Sequence, residues 1–223
     1  MPQAGLHAMV GIASRKWFPG REWLLLGVVL GSMFPDLDNI AVAVATLTKA
    51  STEGLHRTFT HSLFTVVAVV VLFYFLALVS RKLKWNSLGL GLGAGILMHI
   101  LLDLVLWFNG VELFWPIRFE LNFWSWYSVP LWLENLLSTG EFLAFGLFFW
   151  MLVSIAAKNG TDKEYQSMAR LWAYMMFGLF VIFTVMAFTM SSGWFTIYGG
   201  LYLLALFIAV GVAIRMKTTI ETV

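Results

Sequence analysis

The heptapeptide HRTFTHS at residues 56–62 places two of the chain's four histidines directly before a long apolar run. A histidine at the edge of a membrane-length segment costs desolvation free energy unless a ligand or a polar partner compensates for it. A second polar pair, His99 and Asp103 in HILLD, lies inside an apolar run at the i, i+4 spacing. That spacing puts an imidazole and a carboxylate on one face of a helix, where they could hold a single cation.

Two further carboxylates follow a proline in the stretch FPDLDN. Pro35 lacks a backbone N–H and disfavours helical geometry at Phe34, so Asp36 and Asp38 are predicted to stand on non-helical backbone. Membrane proteins tolerate such backbone where it is packed in protein or lines a cavity. The remaining histidine, His7, lies in the first apolar segment. The candidate metal ligands are therefore His7, Asp36, Asp38, His56, His61, His99 and Asp103.

The donor atoms of this set are nitrogen and oxygen, because the chain has no cysteine. Such ligands favour a divalent metal, with zinc preferred over manganese or iron, and their number suits one ion or more. Asp36 could instead act as a base, and Arg57 could neutralise an anionic substrate group. His56 and His61 are five residues apart and can converge only if one stands in a loop, with Thr60 as the predicted N-cap of the next helix.

Composition indicates an integral membrane protein with an all-α, polytopic helical bundle. Hydrophobic residues make up 60% of the chain, charged residues 12%, and the mean hydropathy is +0.84. These values lie outside the range of soluble globular domains. The net charge of +2 is small, and the basic residues fall between apolar runs, which excludes a nucleic-acid footprint. Residues 1–223 are expected to form one domain in contact with the lipid bilayer.

The apolar pattern divides the chain into three parts. Residues 1–108 hold the predicted metal ligands, 109–140 form a Trp-rich interfacial loop, and 141–223 form three further transmembrane helices. The bundle should contain five to six spans in addition to a short N-terminal helical hairpin. The hairpin is predicted at 4–17 and 23–34 with a turn at 18–22, and 39–48 resumes the helix. The five strongest spans are predicted at 62–79, 87–108, 141–157, 168–190 and 194–214.

The distribution of basic residues predicts the orientation and the depth of the site. Most Lys and Arg residues lie in 15–21, 80–86, 158–170 and 215–217, which are taken as the cytoplasmic side. Counting about 1.5 Å per helical residue from these turns places all four histidines in the outer half of the membrane. Glycines in GLGLGAG, together with Gly27 and Gly31, predict close helix packing, and Glu134 and Glu141 are expected to be solvated at the outer interface.

Simpler explanations exist for each polar residue taken alone. A single membrane histidine is more often an interhelical hydrogen-bond partner than a metal ligand. Asp103 could pair with Arg57, and Asp36 and Asp38 could cap the next helical segment. The metal site is nevertheless favoured, because every histidine and three aspartates fall at one inferred depth in four separate segments.

The motifs GSMFPDLD at 31–38, HRTFTHS and the later H-x-x-x-D resemble the YdjM-like inner-membrane proteins, a group described as metal-dependent hydrolases. The resemblance covers about the first half of the chain and implies a prokaryotic inner-membrane location. That group is in turn similar to zinc-dependent phospholipase C and P1 nuclease, which are all-helical phosphodiesterases with several zinc ions. HILLD resembles one of their ligand pairs, whereas their H-x-x-x-E pair is missing because no histidine follows His99.

The resemblance and the residues together predict a hydrolase in which metal-activated water attacks a phosphoester of a lipid or lipid-linked substrate. Two other classes remain open. A metal-ion or proton-coupled transporter would also bury histidine and aspartate in a helical bundle, although it usually shows inverted repeats. A non-catalytic scaffold stabilised by metal would need the same ligands without an open coordination position. Protein partners are not predicted.

Overall fold

The computed structural model describes residues 4–18, 20–190 and 193–222, so Pro19 of the predicted hairpin turn lies outside the described residues. Within these ranges the chain is an all-α bundle with one short two-stranded ribbon, which confirms the predicted fold class. The helices are α1 (Ala4–Ala13), α2 (Leu24–Met33), α3 (Asn39–Thr48), α4 (Leu63–Ser80), α5 (Leu83–Leu106), α6 (Leu131–Asn159), α7 (Lys163–Thr189), α8 (Trp194–Arg215) and α9 (Lys217–Glu221). The antiparallel ribbon pairs β1 (Val111–Glu112) with β2 (Glu120–Leu121).

Six helical segments of the described chain are long and apolar enough to cross a membrane. Five of them are α4 to α8, which correspond to the five strongest predicted spans. The sixth runs from Leu24 to Leu47 and joins α2 to α3 through a 3-10 turn at Pro35–Asp38. Pro35 opens this turn at a position where its missing N–H is not needed, so the proline changes the helix type without ending the span.

The predicted Trp-rich loop is shorter than expected, because α6 begins at Leu131 and not after residue 140. The Trp-rich composition suggested an interface up to residue 140, but in the structure the polar residues of 131–140 make contacts between helices. Asn135 Nδ2 donates to the carbonyl oxygen of Ala187 at 3.1 Å, and Thr184 donates to Thr139 at 3.0 Å. Both hydrogen bonds join the first turns of α6 to α7, so these polar side chains have partners within the bundle.

Helix α1 is too short to span a bilayer, since its 10 residues rise only about 15 Å. Its first turn packs against α6 at Gly5, where a Cβ atom would overlap the backbone of Phe145. The Gly5 N–H donates to Glu141 Oε1 at 2.6 Å, and Glu141 is 0% exposed. The expected interfacial solvation of Glu141 is therefore wrong, because this carboxyl group satisfies the buried start of the helix that carries His7.

Helix α9, which the apolar pattern did not predict, connects the C-terminal end of the chain to the start of α2. Glu221 accepts hydrogen bonds from the backbone N–H groups of Trp23 at 3.0 Å and Leu26 at 2.7 Å. These groups lack partners within their own helix, so the carboxylate takes the role of an N-cap supplied from a distant part of the sequence.

The predicted glycine packing joins α2 to α5. Four glycines in these helices leave room for the opposite backbone, because a Cβ atom at any of them would overlap it: Gly27, Gly31, Gly91 and Gly95. Gly89 and Gly93 of the same α5 stretch face Phe73 and Val70 of α4 instead. Alternate glycines of α5 thus allow close approach of helices on two sides, which fixes where His99 and Asp103 stand relative to Asp36.

Gly95→Val is expected to lower the free energy of unfolding by about 1–3 kcal/mol, because the valine side chain would collide with the carbonyl oxygen of Val28. Thermal unfolding in detergent measures the change. The matched control is Gly178→Val in α7, where a Cβ atom meets no other atom within 4 Å. Equal stability of the two variants would contradict the close approach of α2 and α5.

Candidate metal centre

Four separate segments bring the seven predicted ligands into one cluster inside the bundle. Helix α1 contributes His7, the 3-10 turn contributes Asp36 and Asp38, and α5 contributes His99 and Asp103. The connection between α3 and α4 contributes His56, Arg57 and His61. Most of these side chains are buried, with His7, His61 and His99 each 0% exposed. His56 is the most open, with 20% of its side chain exposed.

Asp103 is the first of two carboxylates around which the cluster is organised. Its Oδ1 atom lies 3.1 Å from His7 Nε2, and its Oδ2 atom lies 3.3 Å from Arg57 Nε. The same Oδ2 is 3.5 Å from His61 Nε2 and 3.7 Å from His99 Nε2. The alternative pairing of Asp103 with Arg57 is thus present, together with contacts to three imidazoles.

Asp38 is the second organising carboxylate. Its Oδ1 atom lies 2.7 Å from His56 Nδ1, and its Oδ2 atom lies 3.4 Å from His61 Nδ1. Oδ2 also accepts hydrogen bonds from the Arg57 backbone N–H at 3.1 Å and from the Thr60 hydroxyl at 3.0 Å. His61 therefore contacts both carboxylates, one through each ring nitrogen.

Three groups of side chains bring potential ligand atoms within 4.8 Å of one another. The groups are His7, His99 and Asp103; Asp36, His61 and His99; and Asp38, His56 and His61. The His7 and His99 rings stack with centroids 3.7 Å apart, and the Nε2 atoms of His61 and His99 are 3.1 Å apart. The first and third groups share no residue, so the cluster has enough ligands for two ions.

The hydrogen bonds of the histidines leave ring nitrogens available for a cation. His99 Nδ1 faces the Ser32 carbonyl oxygen at 2.8 Å, which favours a proton on Nδ1 and an unprotonated Nε2. Asp38 orients His56 in the same way, and the buried His56 Nε2 has no hydrogen-bond partner among the described residues. His7 Nδ1 is likewise unpartnered there. Imidazoles that bind metals commonly show this arrangement, with the second nitrogen held by a carboxylate or a carbonyl.

The charges of the cluster also favour a cation. Three carboxylates, from Asp36, Asp38 and Asp103, are buried or nearly buried, whereas Arg57 is the one permanently charged cation that contacts them among the described residues. Burial would lower the pKa of His61, but contacts with Asp103 and Asp38 raise it to about 9. Burial lowers the pKa of His56 to about 4 despite its hydrogen bond to Asp38. A neutral His56 is the form that binds metal.

Thr60 has a different role from the predicted one. Ser62 is the N-cap of α4 and accepts a hydrogen bond from the Thr65 N–H, while Thr60 donates to Asp38. Asp38 is the N-cap residue of α3, and its side chain makes no cap hydrogen bond to that helix. Thr60 lies between His56 and His61 in HRTFTHS, and its hydroxyl contacts the carboxylate of Asp38 that both histidines also contact.

The backbone of Arg57 is held in an unusual conformation. Its φ angle is +62°, a left-handed value that is uncommon for a residue with a side chain. The Glu112 N–H of β1 donates to the Arg57 carbonyl oxygen at 3.0 Å, and Arg57 Nη1 donates to the Asn109 carbonyl oxygen at 3.3 Å. The ribbon therefore fixes Arg57 against the cluster, a contribution of the 109–130 loop that spacing alone could not reveal.

Comparison with known protein families identifies the family of this chain. A family model described as "YdjM inner membrane protein" matches residues 3–194, which include all the clustered ligands and five of the six candidate spans. No curated protein and no solved structure shows a significant match. The family match covers well over half of the chain and agrees with the resemblance of GSMFPDLD and HRTFTHS. The chain is therefore an integral membrane protein that belongs to the YdjM inner membrane protein family.

Proposed function

We propose that the chain is a membrane-embedded, metal-dependent hydrolase that acts on a phosphoester of a lipid or lipid-linked substrate. The observation that carries this proposal is the convergence of four histidines and three aspartates from separate segments into groups with metal-ligand spacing. Nitrogen and oxygen donors without sulfur suit zinc, with manganese or iron as alternatives. One or two ions are expected, held by the His7, His99 and Asp103 group and by the Asp38, His56 and His61 group.

A bound divalent metal supplies two effects to such a reaction, a lowered pKa of water and polarisation of the phosphoryl oxygen. The chain's own residues supply the rest. Arg57 Nη2 is buried and makes no hydrogen bond in the described chain, so it is available to an anionic oxygen of the substrate. Asp36 is 1% exposed within the ligand group of His61 and His99, where its carboxylate could serve as ligand or as base.

Access favours a lipid substrate. The cluster is part of helices that can span a membrane, and its most exposed member, His56, lies at the end opposite the basic turns. The distribution of Lys and Arg supports an orientation in which that end is on the outer side of the membrane. A substrate anchored in the bilayer would reach such a site laterally, and the Trp-rich connection before α6 would contact its headgroup region.

Release of a phosphorylated headgroup or of phosphate is the experiment that tests the activity. Full-length protein loaded with zinc is placed in nanodiscs that contain a mixture of phospholipids, and the products are identified by mass spectrometry. Activity should disappear on chelation and return with zinc. Arg57→Gln is expected to slow the reaction about tenfold or more without loss of metal, because a hydrogen bond to a charged group contributes about 1.5–3 kcal/mol.

The matched control for Arg57→Gln is Lys49→Gln, which removes an exposed positive charge at the end of α3, at the same end of the bundle and outside the cluster. Its activity should equal that of the wild type. Metal-loaded protein that cleaves none of the phospholipids would contradict the hydrolase and favour the scaffold. Zinc flux into proteoliposomes without cleavage would favour the transporter.

A further inference from the structure

A cavity lies near the candidate metal centre, at the end of the bundle where α5 ends and α6 begins. Its volume is about 270 Å³, and it is lined by Trp107, Phe108, Asn109, Tyr127 and Glu134, with Val129 and Leu137. The first three residues follow α5 directly, and Glu134 stands in the first turn of α6. The cavity is therefore at the same end as His56, away from the basic turns.

The walls of this cavity combine aromatic rings with an acidic group. The centroids of the Phe108 and Tyr127 rings are 5.5 Å apart, and those of the Phe108 and Trp124 rings are 5.4 Å apart. The Glu134 carboxylate makes no ion pair with any residue in the described part of the chain. Aromatic faces next to a carboxylate attract an alkylammonium group through cation–π and charge interactions.

Trp107 in the cavity lining and Arg57 against its ring are hydrogen-bond donors for an anion. Trp107 is 4% exposed, and its buried Nε1–H has no hydrogen-bond partner among the described residues. Arg57 lies over the Trp107 ring at 5.8 Å and donates to the carbonyl oxygen of Asn109, another lining residue. The same guanidinium contacts Asp103 of the metal centre at 3.3 Å. Arg57 thus connects the cavity to the candidate ligands.

We propose that this cavity binds the headgroup of a zwitterionic aminophospholipid. Its ammonium group would lie among Phe108, Tyr127 and Glu134, and its phosphate would face Trp107 and Arg57. The order of charges, from the Glu134 carboxylate in the cavity lining to the Arg57 guanidinium against Trp107, matches the order from ammonium to phosphate in such a headgroup. An anionic phospholipid without an amine would find Glu134 repulsive. This assignment of a substrate class rests on the proposed hydrolase, whereas headgroup binding can be measured without any reaction.

Native mass spectrometry of the full-length protein in detergent tests the binding. Phosphatidylethanolamine and phosphatidylglycerol with identical acyl chains are added in equal amounts. The wild type should retain phosphatidylethanolamine about fivefold better, a ratio in the range of one exposed cation–π contact and one exposed ion pair. Glu134→Gln should reduce the ratio to about one. Glu53→Gln, which removes an exposed carboxylate from the connection between α3 and α4, should keep the wild-type ratio.

Phe108→Leu provides a second variant, because it removes an aromatic face and keeps the charge of the cavity. It should lower the ratio at least about twofold. A wild type that binds both lipids equally, or a preference that survives Glu134→Gln and Phe108→Leu, would overturn the assignment.

Parallel measurement of lipid cleavage separates this proposal from the hydrolase. Headgroup preference without cleavage would leave the cavity assignment in place and contradict the hydrolase. Cleavage of both lipids at equal rates, with no preference in binding, would support the hydrolase and contradict the cavity assignment. Preferential cleavage of phosphatidylethanolamine that Glu134→Gln abolishes is the result expected if both proposals hold.

Discussion

The double variant His61→Ala/His99→Ala is expected to lose its high-affinity zinc binding. Each of the three ligand groups contains at least one of these two histidines, so the double substitution leaves none of them complete. Each single variant keeps one complete group, namely His7, His99 and Asp103 in His61→Ala, or Asp38, His56 and His61 in His99→Ala. We therefore expect partial zinc content in the single variants and a loss of zinc affinity of at least about 100-fold in the double variant.

Elemental analysis after dialysis against a weak chelator measures this series. The control is Lys49→Ala, which changes an exposed residue at the end of α3, in the connection that carries His56 and His61, without altering a candidate ligand. A double variant that retains the wild-type metal content would show that the ion is bound elsewhere. Hydrolysis should follow the zinc content, so the double variant should also be inactive in the nanodisc assay.

Replacement of Asp103 by alanine is expected to lower the free energy of unfolding of the metal-free protein by about 3–5 kcal/mol. Arg57 is only 5% exposed, and Asp103 is the carboxylate that contacts its guanidinium. The substitution leaves this charge buried without an anion, which costs more than the loss of the contact itself. His7 also loses the acceptor of its Nε2 atom.

Thermal or denaturant unfolding of chelated protein in detergent measures this cost. Glu22→Ala is the matched control, because Glu22 pairs with Lys84 at 3.8 Å with 68% of its side chain exposed. Such a surface pair contributes less than about 1 kcal/mol. The double variant Asp103→Ala/Arg57→Leu should recover part of the lost stability, since it removes the unpaired charge. Equal effects of Asp103→Ala and Glu22→Ala would contradict a buried ion pair at this position.

The convergence of the ligands could be predicted from the sequence because polar residues are scarce in an apolar bundle. An imidazole or carboxylate in a membrane span must find a polar partner, and the fixed rise of a helix gives its depth. For the same reason the i, i+4 pair of His99 and Asp103 indicated a shared face before any contact was known. The close packing of α2 and α5 could also be predicted, because small residues at this spacing allow two helices to approach closely.

Features that depend on a distant partner could not be predicted. The carboxyl group of Glu141 satisfies the buried start of α1, although its position near the end of a span suggested solvation. The N-cap of α4 is Ser62 and not Thr60, because Asp38 from another segment takes the Thr60 hydroxyl. The start of α6 at Leu131 depends on hydrogen bonds to α7, and the left-handed backbone of Arg57 depends on β1.

The aromatic composition of residues 107–130 indicated an interface but not a cavity. The sequence shows tryptophan and tyrosine there without showing that Tyr127 and Phe108 pack beside Glu134 at the start of α6. The fold and the convergence of the polar side chains thus followed from local pattern, whereas the cavity followed from the three-dimensional path of a loop.

The central claim is that a divalent cation compensates the buried carboxylates of Asp36, Asp38 and Asp103. Its most direct test is elemental analysis of the purified full-length protein, combined with anomalous diffraction at the zinc edge. We expect about one or two ions per chain, with anomalous density between the imidazoles of His61 and His99 or within the adjoining ligand groups. Protein that contains no metal, takes up none from buffered zinc, manganese or iron, and unfolds at the same temperature with and without them would contradict the claim.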